Sequence, residues 1–173
     1  IFLFIVIGIV TFSCKNNQPQ ELTEQQKLAK EISDFEEDLF NDIEPNKDKA
    51  LEMVDKYLNY VENYPQDSLC TEYLFKASEI AMNFSQPHNS IRYLTQIETD
   101  YTDYPKYPTV IFMKGFVYDN YIGDVTKAKE FYTKYIEEYP KHTFVKDAEA
   151  ALMFLGISDE QLVDIFEDIN KYN

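Results

Sequence analysis

The chain has 173 residues, 45% of them hydrophobic, which is enough for one domain with a core and too much for a disordered chain. Against 16 lysines and arginines stand 31 aspartates and glutamates, a net charge of −15. A field of that sign repels phosphate backbones, so it argues against nucleic acid as a partner; it marks either solubility or a basic partner.

Residues 1–13 carry no charge. The run is too short to span a bilayer and suits the apolar part of a secretory signal. Ser13-Cys14 and the polar Lys15-Asn16-Asn17-Gln18-Pro19-Gln20 follow. An apolar run, a small residue, Cys and a polar tether resemble a bacterial lipoprotein signal, with Thr11 and Phe12 departing from its strict form. The resemblance implies a signal over 1–13, truncated at its start, cleavage before Cys14, lipid on Cys14 and a flexible tether over 14–22. Since Lys15 is not acidic and no acidic residue closely follows Cys14, it further implies an outer-membrane anchor facing the periplasm. The alternative is a buried apolar first helix with a chance cysteine. Cys70, among Leu69, Leu74 and Phe75, reads as a small buried hydrophobe. The two cysteines have neither zinc spacing nor a disulfide framework.

From Thr23 to the end the punctuation is helical. Thr23 and Gln26 offer a capping box ahead of Leu28, Ile32, Phe35, Leu39 and Phe40 at spacings of three and four. Glu44-Pro45-Asn46 interrupts. A second helix (Leu51, Val54, Leu58, Val61) stops at Tyr64-Pro65. Asp67 or Ser68 can cap a third (Tyr73, Leu74, Ala77, Ile80, Ala81), which Ser85-Gln86-Pro87 ends. A fourth carries Ile91, Leu94 and Ile97. The fifth, Val110 to Ile122, is apolar nearly all round and is expected to be buried on more than one side. Gly123-Asp124 ends it and caps a sixth, which runs to Tyr139-Pro140. Thr143 is expected to open a seventh, and Gly156 to close it in the left-handed region. Ser158 and Gln161 form a second capping box before an eighth helix with Leu162, Ile165, Phe166 and Ile169. No segment alternates long enough to be a strand, and four glycines leave few hairpin turns.

The ends of the even helices repeat. Tyr60-Val61-Glu62-Asn63-Tyr64-Pro65, Ile97-Glu98-Thr99-Asp100-Tyr101 and Tyr135-Ile136-Glu137-Glu138-Tyr139-Pro140 place a tyrosine at 64, 101 and 139, a period of 37 and then 38 residues. In the third unit Gly115, Tyr118, Gly123, Ala128, Tyr132, Tyr135 and Pro140 resemble the signature of the tetratricopeptide repeat, with one extra residue in the turn and a large Tyr135. The second unit (Leu74, Ala77, Ser78, Ala81, Ser90, Leu94, Ile97) keeps the sizes without the proline; the first keeps Tyr57 and Pro65. The resemblance implies an all-α fold over 23–173. This is a right-handed superhelical stack of antiparallel helix pairs, about three repeats plus a C-terminal closing pair. The ending Ile136-Glu137-Glu138-Tyr139-Pro140, with Leu155-Gly156, is distantly similar to envelope proteins of the BamD/YbgF type. That likeness implies a scaffold for outer-membrane protein assembly or another envelope complex. The alternative is a periplasmic ligand- or glycan-binding lipoprotein of a nutrient-uptake system.

No catalytic set, metal site or cofactor motif is legible. His88 and His142 have no partner at ligand spacing. Glu36-Glu37-Asp38 and Glu137-Glu138 read as solvated helix faces, Gly115 as a site of close helix packing, and the repeated tyrosines as covers over the base of the core. The family's groove positions, carried over, fall at Glu72, Phe75, Glu79, Met82 and Asn83 on unit two. On unit three they fall at Thr109, Phe112, Phe116, Asp119 and Asn120. Such a surface suits an extended or helical peptide with basic residues; Phe112 and Phe116 could equally belong to the core.

Overall fold

The computed structural model describes residues 21–41 and 46–158, with Glu160, Gln161, Val163, Glu167 and Lys171 beyond them. The expected signal over 1–13, Cys14, the tether as far as Gln20, Glu44-Pro45 and the Phe40 side chain lie outside the described residues, as do Leu162, Ile165, Phe166 and Ile169. The described residues form helices and no strand: α1 (Glu24–Asn41), α2 (Lys47–Asn63), α3 (Leu69–Asn83), α4 (Pro87–Asp100), α5 (Tyr107–Val117), α6 (Val125–Glu138) and α7 (Val145–Phe154). A π-helical turn, Tyr118–Ile122, joins α5 to α6. Gln161, Val163, Glu167 and Lys171 are helical. Among the described residues no helix is long and apolar enough to cross a membrane.

Local chemistry sets most helix ends. Thr23 and Gln26 exchange backbone-to-side-chain bonds of 3.0 and 3.2 Å, and Ser158 and Gln161 do the same at 3.0 and 3.3 Å. Asn46 caps α2 by accepting from the Asp48 and Lys49 amides, and Asp124 caps α6 through the Lys127 amide at 3.0 Å. At α3 it is Asp67, not Ser68, that accepts, from the Leu69 amide at 2.8 Å. Gly123 and Gly156 hold positive φ of 76° and 79°, as C-terminal residues in the left-handed region do. Thr143 does not open the seventh helix: α7 starts at Val145, and Phe144 flanks it without a side-chain cap.

The three connections between repeats are copies of one another. Tyr64, Tyr101 and Tyr139 end their helices at φ/ψ of −132°/54°, −136°/55° and −130°/52°. Each amide bonds back four residues, to the carbonyls of Tyr60, Ile97 and Tyr135. Each carbonyl then accepts from the residue three on (Asp67, Tyr104, His142), whose carbonyl accepts from Cys70, Tyr107 and Val145. The tyrosine rings pack half-buried against the core, and the Tyr101 hydroxyl donates to the Pro65 carbonyl at 3.0 Å, tying one loop to the next. They do cover the base of the core.

Each helix packs chiefly on its neighbours in the chain. Side chains link odd helices to odd and even to even: Lys76 of α3 to Glu36 of α1 at 2.8 Å, the Phe144 ring before α7 to Phe112 of α5 at 4.9 Å, Lys134 of α6 to Glu98 of α4 at 3.0 Å. The result is two layers, the architecture of an α-solenoid. Glu36 is not part of a solvated face, because the Tyr57 hydroxyl and Lys76 both donate to it; Glu37 and Asp38 are exposed. The apolar interior forms two bodies. One lies among α1 to α4 and takes in Tyr104 and Val110; the other lies among α5 to α7.

Candidate functional site

Helix α5 organises the third unit. Val110, Ile111 and Val117 are completely buried, so the helix is enclosed on more than one side as its composition requires. Gly115 lets α6 approach: a Cβ there would lie 2.8 Å from the Tyr132 ring, so no other residue fits without displacing it. Lys114 is also inside, 5% exposed, a position that its charge gives no hint of in the sequence. Its ammonium bonds Glu98 at 2.5 Å and sits 4.5 Å from the Phe131 ring centroid. After Val117 the π turn accommodates the extra residue of this unit, and the Asp124 amide reaches back to the Tyr118 carbonyl at 2.9 Å. That turn places Asp119 and Asn120 beside Phe116.

Four of the carried-over groove residues come together there. Phe112, Phe116, Asp119 and Asn120 line an open cavity of about 450 Å³ between α5 and α7, completed by Tyr132, Phe144, Asp147 and Ala151. The volume suits a side chain or a small molecule. Phe112 and Phe116 are half-buried, each belonging both to the packing and to the cavity wall. Their ring centroids are 6.5 Å apart at an interplanar angle of 23°, and Phe144 stacks on Phe112 at 4.9 Å. The Tyr132 hydroxyl points to an Asp119 carboxylate oxygen at 3.4 Å. Burial pushes the Asp119 carboxyl up, and the Tyr132 hydroxyl only partly offsets it. Phe144, Asp147 and Ala151 went unforeseen, although their spacing of three and four, from the residue that flanks α7 onward, gathers them on one side of that helix.

Unit two is different. Glu72 accepts from the Tyr104 hydroxyl at 2.9 Å and pairs with Lys106 at 2.9 Å. Partial burial pushes its carboxyl up, but the Lys106 and Tyr104 hydrogen bonds outweigh that and hold it low. Phe75, 8% exposed, packs against the Tyr104 ring, with the Lys106 ammonium 5.6 Å from its centroid. The α4–α5 connection therefore lies over this part of the carried-over groove. Glu79 and Asn83 are exposed and Met82 is half-buried; desolvation and the charge of Glu72 push the Glu79 carboxyl up. Thr109 is half-buried and does not line the cavity.

His142 is engaged in the repeat turn. The Tyr135 hydroxyl accepts the Phe144 amide proton at 3.2 Å and meets His142 Nδ1 at 2.5 Å. His88 is exposed at the start of α4. Among the described residues no group of His, Cys, Asp and Glu is arranged to hold a metal ion.

Residues 109–142, which cover α5 from Thr109 on, the π turn, α6 and the turn to His142, match the tetratricopeptide repeat family. The chain carries a tetratricopeptide repeat. The match falls on the unit whose residues carry the resemblance most fully, and the packed helix pairs around it make the described residues an all-α, tetratricopeptide-like solenoid. Tetratricopeptide repeats mediate contacts between proteins, and proteins built from them are generally non-catalytic scaffolds. No curated protein and no solved structure matches the chain.

Proposed function

We propose that this protein is a non-catalytic scaffold of the bacterial envelope, held at the outer membrane by lipid on Cys14, and that it captures a polypeptide of an envelope partner along its odd-helix face. The observation that carries the reading is the repeat at 109–142 with an open, aromatic-walled cavity on its α5 side. A cavity between successive odd helices is where a stacked repeat offers groove surface. An outer-membrane protein assembly, or another envelope complex, is the setting that the lipoprotein-like amino terminus suggests.

The test is affinity purification of the lipidated protein from native membranes, beside an Asn120→Arg variant. The reading expects a defined set of envelope proteins with the parent chain and their loss with the variant. Recovery of the same set with both, or of none with either, overturns it. The anchor is tested separately with an alkyne fatty acid: Cys14→Ser should abolish the label and release the protein from the membrane fraction. Retained label or retained sedimentation refutes the anchor.

A second reading, a periplasmic ligand- or glycan-binding lipoprotein, draws on the aromatic walls of the same cavity. It expects saturable binding of a sugar without any polypeptide.

A further inference from the structure

We infer that the α5–α7 cavity receives the cationic end of a lysine or arginine side chain from a bound polypeptide. The scaffold reading supplies the polypeptide; the preference for a cation stands on the cavity alone.

Two carboxylates on different elements serve the cavity, Asp119 on the π turn and Asp147 on α7. The remaining wall is largely the rings of Phe112, Phe116, Tyr132 and Phe144. Elsewhere three half-buried carboxylates are matched by lysines within the chain: Glu36 with Lys76, Glu72 with Lys106, Glu98 with Lys114 and Lys134. The salt bridges among the described residues do not include Asp119 or Asp147. Each class of occupant meets a different response. An apolar side chain would cover the carboxylates without pairing them, which costs more than the area gained. An anion would meet two carboxylates within a field of net −15. A guanidinium or ammonium meets the negative faces of the rings and pairs with the carboxylates together. Its charge would also favour the ionised Asp119 carboxylate, against the burial that pushes that carboxyl up.

The experiment titrates N-acetyl-arginine methylamide into ¹⁵N-labelled protein and follows amide shifts, with the neutral isostere N-acetyl-citrulline methylamide alongside. Saturable shifts at Phe116, Asn120 and Asp147 are expected with the arginine compound, and binding of the citrulline compound weaker by about tenfold or more. Asp147→Asn, a change at an exposed position, should keep the parent's circular dichroism spectrum and weaken the arginine compound by about tenfold. Asp119→Asn should do the same and serves as the second variant. Equal binding of the two compounds, shifts confined to other surfaces, or indifference to both substitutions overturns the inference. Capture of envelope proteins is read independently. If the arginine compound binds as described and no partner is recovered from membranes, the scaffold reading fails alone; if partners are recovered and the compound does not bind, this inference fails alone.

Discussion

Lys114 of α5 and Glu98 of α4 meet at 2.5 Å across the junction between the two apolar bodies, and Lys134 of α6 joins them at 3.0 Å on the other carboxylate oxygen. Two lysines share one acid, so the members are not equivalent. Removing Lys114 leaves Glu98 paired with Lys134; removing Glu98 strands an ammonium that is 5% exposed. Glu98→Gln should therefore cost about 3 kcal/mol, whereas Lys114→Met, which keeps length and apolar bulk, should cost less than about 1 kcal/mol. Urea unfolding of the two variants checks the order. Equal losses would mean that the cluster is solvated and contributes little.

The same acid predicts a pH dependence. Partial burial pushes the Glu98 carboxyl up, but hydrogen bonds and charge from Lys114 and Lys134 outweigh it and hold the carboxyl below the ordinary carboxylate range. A depressed folded value contributes stability that is full above the unfolded value of about 4.3 and is lost as pH falls from there through the folded value. The stability gap between the parent and Glu98→Gln should thus be constant near neutrality and shrink below about pH 4. Asp119 and Glu79, whose carboxyls are pushed up by burial, titrate in both proteins and cancel in the difference. A gap that widens on acidification contradicts the assignment.

Gly115→Ala is expected to destabilise although alanine is the better helix former. The added Cβ would sit 2.8 Å from the Tyr132 ring, which is 1% exposed, so the ring or the helix must shift. Overpacking of this kind costs about 1–3 kcal/mol, more than the helix-propensity gain of about 1 kcal/mol. Tyr132→Leu removes the obstacle, so the double variant should lose less than the two singles added together. Additive losses would show that helix approach is not what Gly115 provides.

Much of the fold was legible because its signals are local. Thr23 with Gln26, Asp124, Gly123 and Ser158 with Gln161 carry their chemistry within four residues, and the tyrosines at 64, 101 and 139 announce the period themselves. What escaped depends on distant residues. The burial of Lys114 needs Glu98, on the preceding helix, and Phe131, on the following one. The position of Phe75 needs Tyr104 and Lys106, which follow only after a whole intervening helix. Periodicity marks Phe75 and Phe112 as equivalent, yet the α4–α5 connection covers the first and leaves the second facing a cavity.

Cys70 should be chemically silent while the protein is folded. It is completely buried, and burial pushes its thiol up. In a Cys14→Ser background, a disulfide-exchange reagent should find no thiol at neutral pH in buffer and one in denaturant. Rapid labelling of the native protein would mean that α3 opens readily.

Reversing the charges of unit two tests whether capture extends beyond the α5–α7 cavity. Glu72 and Lys106 form a partly exposed pair, worth about 0–1 kcal/mol, and Glu79 is exposed. Reversal of both acids, Glu72→Lys with Glu79→Lys, should leave the thermal midpoint within a few degrees while weakening capture of membrane partners. Undiminished recovery of the same partners would confine the binding surface to α5 and α7.

The most direct measurement places a photo-crosslinking amino acid at Asn120, beside the cavity, and at Lys129, exposed on α6, in cells that make the full protein. Irradiation should join another protein to the chain from position 120 and none from 129. Adducts from 129 alone, or from neither position, would contradict a scaffold that works through its α5–α7 face.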